Sequence, residues 1–321
     1  MAIENRVYRQ DNERALSEVI GFILLLGVLV AAIALWMMYV VPANGREDEI
    51  TQMNAVKDRF TDYKISLDSL WVNNNQSQVT LSTSFNLGTG GGNTEAGGLF
   101  MPLLNPVASS AVLSVKDTGD RMTINTSHSG NYTINMSMLE YQSQNNYWIQ
   151  QRYYYQTGGV FLSQDNGATN RISPPFTVTS TTNKSGTVVA SVNLVPISLI
   201  GSNSSIGGNG PVRVDTWMRT PNKSVLSQEN NWMNVSVNVA DQPTARMWTT
   251  LFKETLARGG MDKTMYSDWS KVPPPEQVGS RWVARISIFG PYGDVSNKDV
   301  FVTLPRVEYV VTLNNVASEI S

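Results

Sequence analysis

Few residues in this chain are of a type that does chemistry. There is one histidine, His128, and no cysteine, which excludes disulfides, thiolate nucleophiles, thiolate zinc sites and Cys-ligated iron–sulfur clusters. A Ser-His-Asp arrangement would have to pass through His128 alone. That residue stands in Asn125-Thr-Ser-His-Ser-Gly-Asn131, between two strand-like runs, a setting that describes a solvated hairpin turn rather than a general base. No G-x-S-x-G elbow, P-loop or complete G-x-G-x-x-G fingerprint occurs, and the Gly-rich stretches 90–92 and 207–210 read as loops. Asp165-Asn-Gly167 begins like a calcium loop but lacks the later ligands and the closing Glu, so a hairpin turn is expected there. No catalytic residue, cofactor site or metal site is expected, and the chain does not read as an enzyme.

Chemistry done to the chain is better represented. Arg14-Ala15-Leu16-Ser17-Glu18-Val19-Ile20-Gly21 brings a positive charge, a small residue and the start of a long apolar run together. No residue from 19 to 41 is charged. As a helix rising about 1.5 Å per residue, these roughly 23 residues cross a hydrocarbon core about 30 Å thick. The run is apolar all round, whereas a buried core helix usually keeps a polar stripe. Trp36 and Tyr39 suit the membrane interface, and Pro42 marks a kink or stop where the helix leaves lipid. Arg6, Arg9 and Arg14 ahead of the span put that side in the cytoplasm and everything beyond Val41 outside. Three outcomes compete at this end: secretory cleavage near Val41-Pro42-Ala43, an uncleaved anchor, and cleavage between Ala15 and Leu16. The apolar run exceeds the ~7–15 residues of a secretory h-region, and Pro42 beside the bond disfavours the first outcome.

The octet Arg14-Ala-Leu-Ser-Glu-Val-Ile-Gly21, followed directly by an apolar helix, resembles the class III signal of archaeal type IV pilins and archaellins. That signal is commonly written Arg-Ala-Val-Ser-Pro-Val-Ile-Gly, and Glu18 stands where Pro is common. The resemblance implies cleavage after Ala15 by an archaeal prepilin peptidase on the cytoplasmic face, with Arg14, Ala15, Leu16, Ser17, Glu18 and Gly21 as the processing residues. It also implies that the helix serves first as a membrane anchor and then as a filament core, associating with copies of itself or with other pilins. Glu18 falls in the first turn of such a mature helix, where the macrodipole favours a carboxylate by ~0.3–1 kcal/mol. In the pilin reading it would instead pair with the N-terminal amine of a neighbouring subunit. Tyr141 to Asn166 and the terminal strands are loosely similar to large, uncharacterised pilin-like secreted proteins of archaea.

Elements must position these residues. After Pro42, apolar Ile50, Met53, Val56, Phe60, Tyr63 and Leu67 recur at helical spacing, and Glu47, Asp48 and Glu49 fall in the first turn of a helix that resumes there. From Ser77 the period drops to two. Strand-like runs cover 79–85, 111–116, 122–126, 132–138, 147–156, 160–163, 176–181, 188–195, 212–218, 233–239, 282–289, 300–304 and 307–313, separated by turn signals such as Asp117-Thr-Gly-Asp120 and Thr157-Gly-Gly159. Residues 243–258 break the pattern with Met247, Leu251 and Leu256 at helical spacing, closed by Gly259-Gly260. The expected fold is mainly β with a long N-terminal α-helix. It comprises a cleaved leader (1–15), a helix (16–66) that is transmembrane over 19–41 and then amphipathic, and an extracellular antiparallel β-sandwich head (67–321) with a helix near 243–258. The Gly/Ser stretch 201–210 is the candidate boundary if the head divides.

Lys and Arg total 24 against 26 Asp and Glu, a net charge of −2, so no nucleic-acid partner is expected. Charged residues make up 16%, below the ~25% of soluble domains; Asn, Ser, Thr and Gly fill the difference, as in β-rich surface proteins. Sequons begin at Asn75, Asn125, Asn131, Asn135, Asn183, Asn203, Asn222 and Asn234, candidate N-glycosylation sites in a segment outside the membrane. Aromatics cluster at Tyr147-Trp148 and Tyr153-Tyr154-Tyr155, then at Trp269 and Trp282; core packing is their expected use, with sugar stacking the alternative. The function expected is a pilin-like structural subunit, in the cell membrane with an extracellular head or in a surface filament. The alternative is a membrane-anchored module that binds a glycan or envelope component and forms no filament.

Overall fold

A computed structural model describes residues 4–73, 79–89, 105–128, 130–165, 167–182, 186, 188–219, 226–261, 270–290 and 299–315, with side chains from residue 17 onward except 226 and 227. One helix dominates the N-terminal end: α1 (Glu4–Leu35) passes through a π turn (Trp36–Val40) into α2 (Val41–Val72). Pro42 explains the π turn. It has no N–H for the carbonyl four residues back, and its ring crowds that carbonyl. The backbone widens by one residue, and the Val41 N–H donates to the Trp36 carbonyl five residues back. The helix therefore neither stops at Pro42 nor resumes after it. Glu47, Asp48 and Glu49 lie in its interior, not in a first turn, and the helix extends beyond 16–66 at both ends.

The buried residues of α2 are Val41, Gly45, Glu49, Met53, Val56, Phe60, Tyr63, Lys64 and Leu67. Their spacing of three and four draws one continuous stripe along the helix. The periodic apolar set read from the sequence lies on it, except Ile50, which is only partly buried.

The strands in chain order are β1 (Thr80–Asn86), β2 (Ser110–Lys116), β3 (Arg121–Thr126), β4 (Gly130–Asn135), β5 (Met138–Gln144), β6 (Gln151–Gln156), β7 (Gly159–Gln164), β8 (Gly167–Ile172), β9 (Phe176–Thr182) and β10 (Val188–Leu194). They continue with β11 (Ile197–Ile200), β12 (Ser204–Gly208), β13 (Pro211–Met218), β14 (Leu226–Asn230), β15 (Met233–Val239), β16 (Ser270–Lys271), β17 (Glu276–Val278), β18 (Arg281–Ile288), β19 (Val300–Leu304) and β20 (Val307–Asn315). Between β15 and β16 lies α3 (Gln242–Arg258), whose first turn is capped by Asp241 accepting from the Thr244 N–H at 2.8 Å.

These strands make four sheets: β1-β13-β20-β11, β12-β2-β5-β6-β7-β8, β16-β18-β15-β3-β4 with β17 also on β18, and β14-β19-β10-β9. Antiparallel pairing prevails, as expected. A single sandwich, however, accounts neither for four sheets nor for two parallel pairings, β10 with β19 and β11 with β20. The parallel pairs share one register. Ala190 faces Val300 and Ile197 faces Val307, so two stretches of the chain run side by side through Pro196 and Pro305 and leave one sheet for another together. Proline suits that crossing because it cannot continue a ladder.

Two cores result. The first joins Met53, Val56, Phe60, Tyr63 and Leu67 of α2 to residues of β1, β2, β11, β13 and β20. The second joins Trp248, Leu251 and Phe252 of α3 to residues of β3, β9, β10, β15, β18 and β19. The sheet containing β5, β6 and β7 serves both: Tyr153, Tyr155, Val160 and Leu162 enter the first core, while Met138, Tyr154 and Phe161 enter the second. This explains two unbroken apolar runs in the sequence, Tyr153-Tyr154-Tyr155 and Val160-Phe161-Leu162, because a strand covered on both faces has no polar side.

Several expected strands shift. The run 132–138 divides between β4 and β5, and 147–150 is a loop. The stretch 201–210 is not an open linker, since β12 within it pairs with β2.

Candidate functional site: an apolar helix and its clamp

Among the described residues nothing covers the helix from Ser17 to Tyr39. Phe22, Leu24 and Val28 are 65%, 65% and 71% exposed, and no face of this length is buried. A Cβ added to Gly21 or Gly27 would meet nothing within 4 Å. Exposing so many contiguous large apolar side chains to water opposes the hydrophobic effect by ~1.5–3 kcal/mol for each one left uncovered. The helix is long and apolar enough to cross a membrane. Two environments cover it: lipid, or other chains.

Beyond the π turn the head takes hold at once. Glu49 is 1% exposed; its carboxylate accepts the backbone N–H of Asn146 at 2.6 Å and of Tyr147 at 2.9 Å. One turn earlier the Tyr147 ring lies so close to Gly45 that any Cβ there would overlap it. The Arg46 guanidinium carbon sits 4.3 Å from the centre of the Trp148 ring, a cation–π contact. The Tyr147 hydroxyl accepts the Val107 N–H at 3.0 Å, which ties a second loop to the first. These contacts clamp the helix within two turns of Pro42. Higher up, the Tyr63 and Thr216 hydroxyls bond at 2.9 Å, and the Tyr309 hydroxyl donates to the Leu67 carbonyl at 2.6 Å.

The residues of the expected processing signal lie in α1. Of Arg14, Ala15 and Leu16 only the helical backbone is described, while Ser17, Glu18 and Gly21 are exposed. Among the sequon asparagines, Asn75, Asn183 and Asn222 lie outside the described residues. Asn131, Asn135 and Asn203 are exposed, and Asn125 and Asn234 half-buried. Asn131, Asn125 and Asn234 form one row across β4, β3 and β15. Asn135 and Asn203 are engaged, with Arg121 and with the Asp117 N–H respectively.

The aromatic clusters divide by role. Tyr153, Tyr154 and Tyr155 are core, Tyr147 and Trp148 belong to the clamp, Trp282 packs half-buried on the second core, and Trp269 lies outside the described residues. His128 is exposed in the turn between β3 and β4. Asp165 takes φ +47° in the hairpin turn between β7 and β8, and the stretch 90–92 is outside the described residues. Two further buried acids are met by cations: Glu140 by Lys116 and by Arg152 at 3.5 Å, and Asp120 by Arg281. Burial pushes the Asp120 carboxyl above its usual range, against the opposing pull of Arg281 and Gln156. A groove of about 530 Å³ beside α2 is lined by Lys64, Asp68, Phe176 and Arg258. Its charges are engaged, Lys64 with Asp68 at 2.5 Å and Arg258 with Ser173 at 3.2 Å. Among the described residues no three His, Cys, Asp or Glu side chains gather where they could hold a metal.

Sequence reasoning missed the clamp. A signal existed, because Gly45 and Glu49 continue, at intervals of four, the stripe that Met53 begins. Comparison with known proteins adds little chemistry. A model described as a family of unknown function (DUF7289) matches residues 108–271, just over half of the chain, covering the middle of the head and leaving the apolar helix outside. No curated protein and no solved structure matches.

Proposed function

The chain belongs to the DUF7289 family, whose description names no function, and we propose that this protein is a non-enzymatic cell-surface structural subunit of the type IV pilin kind. Its apolar helix is held in the membrane and then packed among similar helices, with the β-rich head outside the cell. The observation that carries this reading is the uncovered helix Ser17–Tyr39 running without a break into α2, which is itself part of the head's core. A cleavable tether has no reason to be the same helix that organises the domain. Here a load on the head passes directly to the apolar segment, as a filament subunit requires. The octet at 14–21 supplies the processing signal, with prepilin peptidase as the enzyme that would read it. The sequons suit a head outside the cell.

The binding-module alternative loses support among the described residues, because Tyr153, Tyr154 and Tyr155 are in the core, Tyr147 and Trp148 are held against the helix, and Trp282 packs on the second core. The test is fractionation. Filaments sheared from cells expressing the chain should contain it by mass spectrometry and thin out when it is deleted. Its presence in membranes alone, with every filament fraction empty, would sink the filament part and leave an anchored monomer.

A further inference from the structure

Resting on the anchor reading above, we propose that the loops 105–109 and 145–150 form a foot by which the base of the head rests on the bilayer surface. The interfacial region of the lipid is then a second binding partner of the protein, distinct from the hydrocarbon that takes the helix.

Height along the helix is the first argument. Trp36 and Tyr39 mark the level where the hydrocarbon ends. Gly45 lies six residues beyond Tyr39, about 9 Å at ~1.5 Å per residue, and the headgroup layer on each side is roughly 5–8 Å deep. The Tyr147 ring is pressed on Gly45 and Trp148 lies under Arg46, so the loops meet the helix at the outer edge of the headgroups.

Composition is the second. Val107 is 67% exposed, one of few large aliphatic side chains left in water outside the apolar helix among the described residues. Beside it are half-buried Pro106, Trp148 and Ile149, with exposed Arg46 on the helix. Tryptophan, an aliphatic and an arginine able to extend toward phosphates are side chains the interface favours.

The third is rigidity. Glu49 holds the Asn146 and Tyr147 N–H groups, Tyr147 holds the Val107 N–H, and the Asn146 side-chain amide donates to the Val107 and Ala108 carbonyls at 3.4 and 3.3 Å. The loops therefore keep a fixed height above the membrane and cannot lift while these bonds stand.

The chain has no cysteine, so a single introduced thiol carries a single probe. The full chain with Val107→Cys, and separately with Val72→Cys near the far end of α2, is labelled with an environment-sensitive dye. Each is reconstituted at about one chain per vesicle into phosphatidylcholine–phosphatidylglycerol vesicles bearing headgroup nitroxides. The probe at 107 should be quenched at least threefold more than the probe at 72, which stands about 40 Å farther along the helix than Gly45. Equal, weak quenching in chains that still float with the vesicles would overturn the foot while leaving the anchor intact. Chains that do not float would overturn the anchor and the foot with it. Shielding at 107 that appears only when chains are crowded would assign this face to a neighbouring copy, which also overturns the lipid contact.

Discussion

Glu49 is the residue on which the junction turns. A carboxylate in the run Arg46-Glu47-Asp48-Glu49 reads as a solvated charge, and nothing local says otherwise; its burial is decided by backbone N–H groups 97 and 98 residues away. Charge-assisted bonds of this kind contribute ~1.5–3 kcal/mol, and removing the acceptor leaves two donors without a partner. Glu49→Ala should therefore lower the stability of the full chain in detergent micelles by about 3 kcal/mol, measured by chemical denaturation, with Glu49→Gln losing less than half of that; an Ala variant within 0.5 kcal/mol of the parent would show that the clamp is idle. The tyrosines make a second prediction at this scale. Burial, partly offset by a hydrogen bond from Gln52, pushes the Tyr141 hydroxyl up to about 12, and burial also raises Tyr63, Tyr154, Tyr155 and Tyr309. A folded-state value above the unfolded 10.0 means the stability is whole below pH 10 and lost as pH climbs through 12. Phenolate absorbance should rise in two steps, exposed rings near pH 10 and buried rings only as the fold opens. Tyr141→Phe should retain about 2–3 kcal/mol more stability than the parent at pH 12, the equivalent of two units at ~1.36 kcal/mol each. A single step near pH 10 would contradict the buried cluster.

Elements were legible where one period ruled them. The stripe on α2 could be read because each third or fourth residue from Met53 to Leu67 is apolar, and α3 because Met247, Leu251 and Leu256 are followed by Gly259-Gly260. The strands β2, β13 and β15 alternate cleanly between buried and half-buried. What escaped was decided by distant partners. Ser204–Gly208 has the composition of a loop and becomes β12 only because β2 offers an edge. The second faces of β6 and β7 gain their cover from α3, a helix some 90 residues on in the sequence. Pro42 reads in the sequence as a kink or a stop, and the helix does not stop there, because one π-type bond, which propensity alone does not foresee, lets it continue. Proline inside a helix costs ~3 kcal/mol relative to alanine. Pro42→Ala should therefore slow amide exchange around residues 41–46 by about two orders of magnitude, read by mass spectrometry of the micelle-bound chain. Unchanged exchange would mean the π turn has another cause.

At the scale of the whole molecule, one helix joins an uncovered apolar segment to a buried one. From Val19 to Tyr39 it is apolar on every side and uncovered among the described residues, and its second half is a stripe in a core closed by β1, β2, β5, β6, β7, β11, β13 and β20 of the head. Continuity is what turns an anchor into a structural member, and it bears on how the chain is processed. A cut after Ala43, as an ordinary secretory signal would require, severs the helix two residues before Gly45 and six before Glu49, and frees the head from the segment that locates it. A cut after Ala15 leaves the helix whole and removes the charged leader that resists burial among other helices. On the proposed reading Arg14 holds that bond at the cytoplasmic interface, so Arg14→Asp should cause unprocessed chains to accumulate. The most direct measurement is the N-terminal sequence of the protein extracted from membranes of cells that make it: it should start at Leu16, with the apolar helix intact, whereas a start at Asn44, or recovery of the head only in the medium, would contradict the account.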